Sequence, residues 1–326
     1  MVLSKFSAFA FFPVSVGLAL LVYWRRERLT VGELFRAAMK RVPTLLLAMM
    51  LACLLIWSAY RFSFDRVGPG GIRLPAPELF AGLLQVSAHK AAGHDSYLLG
   101  TRGSTGFWDF YLVGLAVKTP LAVLALLGIG MAAVRKRPAM WMPAMFAAGI
   151  LLVGMFSRIN IGIRHVLPMY IGISLLAGAG ALDLLKRGDA RKWVHGALAA
   201  LALWFAASSV LSHPDYLPYF NELAGSKPEK ILADSDLDWG QDIKRLGKRL
   251  QEVGAQDVTF DRYIVIDLQQ LGFPRVHMMN QNAPSVGWNA IGVGLWKESR
   301  LVLWPDWIRP QERVGKSILL WYFPPG

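Results

Sequence analysis

Ser212-His-Pro-Asp-Tyr-Leu-Pro-Tyr-Phe-Asn-Glu-Leu-Ala-Gly-Ser226, running on into Ala233-Asp-Ser-Asp-Leu-Asp-Trp-Gly-Gln-Asp242, is the stretch that divides this chain. Before it, nearly every segment is an apolar run of helical length. After it, short apolar runs alternate with polar residues, as in a small water-facing module. The stretch itself gathers acidic, aromatic and amide side chains where the last apolar run ends. It marks the passage from lipid to water.

Working outward, the composition agrees. Of 326 residues, 54% are hydrophobic and 17% charged, against roughly 25% charged in an ordinary soluble domain. The formal charge of +13 raises the question of nucleic acid. The basic residues, however, fall in short clusters between apolar runs, which is a membrane pattern rather than a nucleic-acid one. Cys53 is the single cysteine, so no intrachain disulfide forms. Met1–Lys5 lacks a strongly basic start and no small-residue cleavage site follows, so no cleavable signal peptide is expected.

A spanning helix needs about 20 mostly apolar residues. Six segments qualify: Phe6–Trp24, Val42–Tyr60, Phe107–Val134, Ala139–Phe156, Val166–Leu185 and Trp193–Leu211. Alternate connections carry the cations. The first holds Arg25, Arg26, Arg28, Arg36, Lys40 and Arg41; the second Arg135, Lys136 and Arg137; the third Lys186, Arg187, Arg191 and Lys192. The positive-inside rule places these three in the cytoplasm. The loops 61–106 and 157–165 and the tail after Leu211 then face outside, as does Met1. An outward Met1 suits either a natural start or a chain cut from a longer protein. The domains expected are a helical membrane domain, 1–211, and an extracytoplasmic α/β domain, 212–326.

Two features of these segments carry chemistry. In Ala116-Val-Lys-Thr-Pro120, Lys118 falls within the third span, where an ammonium is costly and faces either a cavity or a partner. The alternative is a helix that begins later, with Lys118 snorkelling to the interface. Pro120 is expected to kink or interrupt the span. Residues 75–90 read as an amphipathic helix, either on the membrane surface or packed on neighbouring spans.

The first outer loop ends His89-Lys-Ala-Ala-Gly-His-Asp-Ser-Tyr-Leu-Leu-Gly-Thr-Arg-Gly-Ser-Thr-Gly-Phe-Trp108. Its Lys90, His94 and Arg102 suit charge-assisted contact with a phosphate, beside Asp95. The second, Ser157-Arg-Ile-Asn-Ile-Gly-Ile-Arg-His-Val-Leu-Pro168, sets Arg158, Arg164 and His165 at the mouth of the fifth span. Arginine forks suit a lipid phosphate or pyrophosphate; the plainer role is anchoring to lipid headgroups. No metal-ligand spacing stands out among the histidines, and no zinc site is expected.

In the tail, Asp238-Trp-Gly-Gln241 reads as a helix N-cap and capping box opening a helix over 241–253. Strands are expected over 258–266, 286–296 and 318–323. Asp234, Asp236, Asp238 and Asp242 match positions one, three, five and nine of a calcium loop, but Trp239 replaces its glycine and Arg245 its final glutamate. An EF-hand is therefore not expected. A divalent cation or a sugar contact stays open.

Several blocks together resemble a known family. They are Lys5-Phe-Ser-Ala8; Tyr97-Leu-Leu-Gly100 followed by Lys118-Thr-Pro120; Gly162-Ile-Arg-His-Val-Leu-Pro168; His213-Pro-Asp-Tyr-Leu-Pro-Tyr-Phe-Asn-Glu-Leu-Ala-Gly225; and Asp234-Ser-Asp-Leu-Asp-Trp-Gly-Gln-Asp242. In this order they resemble the bacterial phospholipid-carrier-dependent glycosyltransferases, related to the family 39 protein mannosyltransferases, and the likeness covers essentially the whole chain. It implies a GT-C helical bundle in the inner membrane, a polyprenyl-phosphate-linked sugar donor, and transfer to a protein, lipid or glycan on the outer face. It also implies an essential acid in a first outer loop. This chain resembles the family's later part, and no position here matches that acid. A fragment or internal start, a partner supplying the missing part, or an inactive version would each explain this.

Under that resemblance, Lys90, His94, Lys118, Arg158, Arg164 and His165 are expected on the lipid phosphate. Asp95 and Asp109 are the candidate catalytic acids. Asp234, Asp236, Asp238 and Trp239 are expected to shape the acceptor side. The alternative function is a non-catalytic membrane subunit that binds lipid-linked glycan.

Overall fold

The computed structural model describes residues 6–68, 71–134, 137–187, 192–260, 267–280, 282–298, 304 and 308–326, and the side chains of 89, 90, 92, 133, 187, 234 and 298 lie outside that description. The fold is mainly helical, with a small C-terminal sheet domain. In chain order come α1 (Ala8–Glu27), α2 (Val31–Ala59), β1 (Phe64–Arg66), β2 (Arg73–Pro75), α3 (Pro77–Ala92), β3 (Ser96–Leu98) and β4 (Thr101–Gly103). Next are α4 (Phe110–Lys118), α5 (Leu121–Val134), α6 (Trp141–Met155), α7 (Met169–Arg187) and α8 (Lys192–Leu211). The last part holds α9 (Ile243–Glu252), β5 (Asp257–Phe260), β6 (Arg275–His277), β7 (Gly287–Gly292), α10 (Val293–Glu298), β8 (Glu312–Val314) and β9 (Ile318–Phe323).

Among the described residues, five helical segments are long and apolar enough to cross a membrane, and the bent pair α4 and α5 makes up to six. Each coincides with an expected span. The third is broken as Pro120 requires: α4 and α5 meet at 115°. A proline ring cannot donate an amide and clashes with the preceding turn, so the helix stops and restarts. The second span extends further than expected, because α2 begins at Val31 behind a capping box of Thr30 and Glu33. At about 1.5 Å per residue it outruns the hydrocarbon core, and its basic first turns lie beyond the apolar run.

The chain folds as two compact units: 1–94, 127–157 and 168–183 form one, and 95–126, 158–167 and 184–326 the other. The boundary expected at residue 211 falls inside the second unit.

In the first unit, α1 packs on α6 through small residues, as apolar helices in lipid tend to. A Cβ on Gly149 would sit 2.5 Å from Ser15, and one on Gly172 would meet the Pro143 carbonyl. Ser15 Oγ donates to the Phe146 carbonyl at 3.1 Å. Arg137 pairs with Asp183 at 3.4 Å.

In the second unit, a five-stranded sheet runs in the order β6-β5-β7-β9-β8. β5 is parallel to both neighbours, and the β7–β9 and β8–β9 pairs are antiparallel. Alternation along β9 sends Ile318 and Leu320 to one face and Leu319 and Trp321 to the other, the period of two that a pleated strand imposes. Ile243, Leu246 and Leu250 of α9 cover the first face, with Val258, Phe260 and Ala290. The second face takes Leu237, Val293, Trp304 and Trp321. Leu237 ties the acidic stretch directly into a hydrophobic core.

Two expectations for this module need correcting, and two strands were not expected. α9 starts at Ile243, with Asp242 at its N-cap. Asp238 instead closes a local turn by accepting the Gly240 amide at 2.9 Å, and a short side chain that can do this competes with capping. The segment 286–296 is a strand only to Gly292 and then turns into α10. β6 and β8 are three-residue edge strands, too short for a period of two to register. The expected strand 258–266 begins as β5, and 261–266 lie outside the described residues.

Candidate functional site

Within the second unit, the segments containing Lys118, Gly162–His165, Leu217–Asn221 and Asp234–Trp239 meet. The origin is the break in the third span. A helix that stops leaves its last carbonyls without amides, and here Asn221 supplies them. Asn221 Nδ2 donates to the carbonyls of Ala116 at 2.6 Å and Thr119 at 2.7 Å, and its own amide donates to the Val117 carbonyl at 2.8 Å. Asn221 is buried.

Lys118 ends α4. Its Nζ donates to the carbonyls of Leu217 at 2.8 Å and Asp236 at 2.6 Å, and stands 4.3 Å from the Phe220 ring centroid. Two of the three N–H groups of an ammonium are thus spent on main chain. The residue binds two loops to the broken helix, so it faces partners, here main-chain carbonyls.

The second loop enters through Gly162, at φ +80°. A Cβ there would lie 2.9 Å from Ser235 Oγ and 3.0 Å from Asp236 Oδ1, so a glycine is needed for both conformation and space. The Asp236 carboxylate accepts the Ile163 amide at 2.9 Å, and Ser235 Oγ donates to the Ile161 carbonyl at 2.7 Å. Asp236 is only 3% exposed. Residues 163–165 form a single 3-10 turn. From it, Arg164 donates through Nε to the Ile161 carbonyl at 2.9 Å, and its guanidinium lies 4.1 Å from the Trp239 ring centroid. A guanidinium this close over an indole face is attracted by the ring's π-electrons, and its in-plane donors suit the fork of a phosphate. Trp239 is 54% exposed. His165 sits 6.1 Å from the ring of buried Tyr111, centroid to centroid.

Of the expected site residues, the fold therefore gathers Lys118, Arg164, His165, Asp236 and Trp239. Asp238 lies in the same loop, in the turn with Gly240. Asp109 does not join them: it precedes the first turn of α4 without a side-chain cap, nine residues and about 13 Å of helix rise from Lys118. Arg158 is exposed, and Asp95 is exposed at the start of the second unit. His94 belongs to the first unit. The side chains of Lys90 and Asp234 lie outside the described residues.

Asp242 plays a separate part. Fully buried, it accepts the amides of Lys316 and Ser317 and the Ser317 hydroxyl at 2.8–2.9 Å. Arg245 donates to it at 2.6 Å and to Asp215 at 2.8 Å; the hydrogen bonds to Asp215 and then Asp242 raise the Arg245 pKa above its ordinary value. Asp236 and Asp242 thus hold main chain in different places, and among the described residues no group of three or more His, Cys, Asp or Glu converges as a metal site.

Residues missed in the sequence do much of this positioning. Asn160, fully buried, accepts the Phe107 amide through Oδ1, and Tyr111 donates to the Ile159 carbonyl at 3.2 Å. Asn160 and Asn221 had a legible signal: amides beside apolar runs need partners when buried. Comparison with family models, with curated proteins and with solved structures returned no match for this chain.

Proposed function

We propose that this chain acts as a membrane glycosyltransferase of the GT-C kind, moving a sugar from a polyprenyl-phosphate carrier to an acceptor at the outer face of a bacterial inner membrane. The observation that carries this reading is the convergence of Lys118, Arg164, His165, Asp236 and Trp239, from distant parts of the sequence, at the break of an apolar span. A cation held over an indole beside the break of an apolar span is suited to a lipid phosphate, and the exposed indole is suited to a sugar face.

In this reading an acceptor hydroxyl attacks the anomeric carbon. The bond from that carbon to the phosphate oxygen breaks, the polyprenyl phosphate leaves with the electron pair, and the hydroxyl proton passes to a carboxylate. Stabilising charge on the leaving phosphate is the largest contribution such a site makes, and Arg164 with His165 is assigned that task. Lys118 is assigned to positioning the loops around it. Asp95 and Asp109 remain the candidate bases. The outer location of the sheet domain follows from the basic inner loops.

Membranes carrying the chain, supplied with radiolabelled polyprenyl-phosphate sugars, test the reading. Transfer that falls about 100-fold in Arg164→Ala, a loss typical of removing one charge-stabilising donor, supports it. Undiminished transfer removes Arg164 from the mechanism. A second reading, a non-catalytic subunit that binds lipid-linked glycan, is favoured by one observation: neither candidate base, Asp95 or Asp109, is among the residues gathered around Lys118 and Arg164. Binding of the labelled donor without transfer would select it.

A further inference from the structure

A cavity of about 620 Å³ lies within the second unit where α8 ends. From the end of α8 and the residue after it come apolar Trp204, Ala207 and Leu211, interleaved with the hydroxyls of Ser208 and Ser212. The sheet domain contributes Arg313 of β8 and Lys316 of the β8–β9 turn, and Tyr219 and Glu222 come from the segment between. None of the cluster's cations lines it. The volume is that of a small-molecule site.

The helix belongs to an apolar span whose side away from the cavity is bare: Leu203 and Val210 are 70% and 71% exposed. Buried Asp242 holds the amides of Lys316 and Ser317, and a Cβ on Gly315 would overlap the Asp242 carboxylate, so the turn that presents Lys316 is packed tightly on Asp242. Among the described residues Arg313 pairs only with Glu229, at a long 3.4 Å, which leaves most of its five donors for other partners. Lys316 has no ion pair among the described residues. Glu222 accepts the Trp204 indole N–H at 2.7 Å, which keeps one carboxylate oxygen on that indole. Burial pushes the Tyr219 phenol up, so it stays a neutral hydroxyl. Two cations against one carboxylate give the lining a net positive charge.

We infer that this cavity seats a lipid with an anionic phosphate head, its head between Arg313 and Lys316 and its tail along the Trp204, Ala207 and Leu211 face of α8. The site is independent of sugar transfer: it needs only that α8 reaches a membrane surface. The same chemistry is offered by a diacyl phospholipid of the bilayer and by a prenyl phosphate.

The test uses the purified full chain in nanodiscs and electron spin resonance with spin-labelled lipids. Labelled phosphatidylglycerol and labelled prenyl phosphate are each compared with labelled phosphatidylcholine, whose head is neutral overall. At low salt, Arg313→Gln and Lys316→Gln should each lower the preference for the anionic label roughly fivefold, the weight of one cation near a lipid surface. Ala207→Trp, which adds bulk on the α8 side and leaves the charges alone, should lower it too. The label more affected by the charge variants identifies the lipid source, and either result supports the seat. No preference in the unaltered protein, or a preference that survives the double charge variant with its thermal unfolding unchanged, overturns it. So does complete displacement by millimolar inorganic phosphate, which would make the cavity a soluble-anion site. If Ala207→Trp fails to fold, the exposed charge variants decide alone.

Discussion

Lys118 and Asp236, 118 positions apart, meet through the main chain: Nζ lies 2.6 Å from the Asp236 carbonyl oxygen, while the Asp236 carboxylate takes the Ile163 amide at 2.9 Å. One aspartate therefore binds the end of a broken helix with its backbone and the arginine-bearing loop with its side chain. The cluster's charged groups are mostly at work on each other's backbones, and Arg164 above Trp239 is what they hold up. Removing any one of them should disturb the position of that pair.

Asp236→Ala deletes the acceptor for a buried amide, and a buried donor left without its partner costs about 1–3 kcal/mol. Asp236→Asn keeps an oxygen in place and should lose less. Thermal unfolding of the detergent-solubilised protein measures both, and equal losses would mean that the Ile163 contact contributes nothing.

Stability around the break that Pro120 makes should depend on the Asn221 cap more than on the proline itself. Asn221→Leu strands the carbonyls of Ala116 and Thr119, at about 1–3 kcal/mol for the buried groups. Pro120→Ala leaves the Asn221 and Lys118 contacts intact, and the expected change in melting temperature is the smaller of the two. The reverse order would make the proline the larger contributor to stability.

Gly162 and Gly100 make a matched pair. Both have positive φ, +80° and +88°, but a Cβ on Gly162 would press on Ser235 and Asp236 whereas one on Gly100 meets nothing within 4 Å. Gly100→Ala should cost about 1 kcal/mol of backbone strain. Gly162→Ala adds a displaced loop, so indole fluorescence from Trp239 should change together with stability in that variant only.

Asp242→Ala should be the most damaging single change in the sheet domain. It leaves two amides and a hydroxyl without their acceptor and Arg245 with Asp215 alone, a loss of about 3 kcal/mol or more. Limited proteolysis should then cut the turn at Gly315–Lys316, where the unaltered protein resists. Protection equal to that of the unaltered protein would show that the turn holds without Asp242.

Much of this was legible. Apolar runs of spanning length are visible in any sequence because a bilayer accepts little else, and Pro120 announces a break because its ring removes a donor wherever it stands. Leu246 and Leu250 mark the buried side of α9 by spacing alone. The edge strands β6 and β8 were not visible, since three residues carry no period. Nor was the true start of α9, because Asp238 and Asp242 are equally good caps by type, and a two-residue turn at Gly240 chose between them.

The sequence by itself determined the helices, the break and the presence of a polar module, because lipid length, a proline ring and side-chain period act locally. Only the tertiary structure decided what each charge holds. Lys118 and Asp236 stand in the sequence as candidate site residues and Asp242 as part of an acidic run, yet in the fold they hold main-chain groups, because an interior carbonyl or amide must find a partner and a nearby charge is the strongest one to hand.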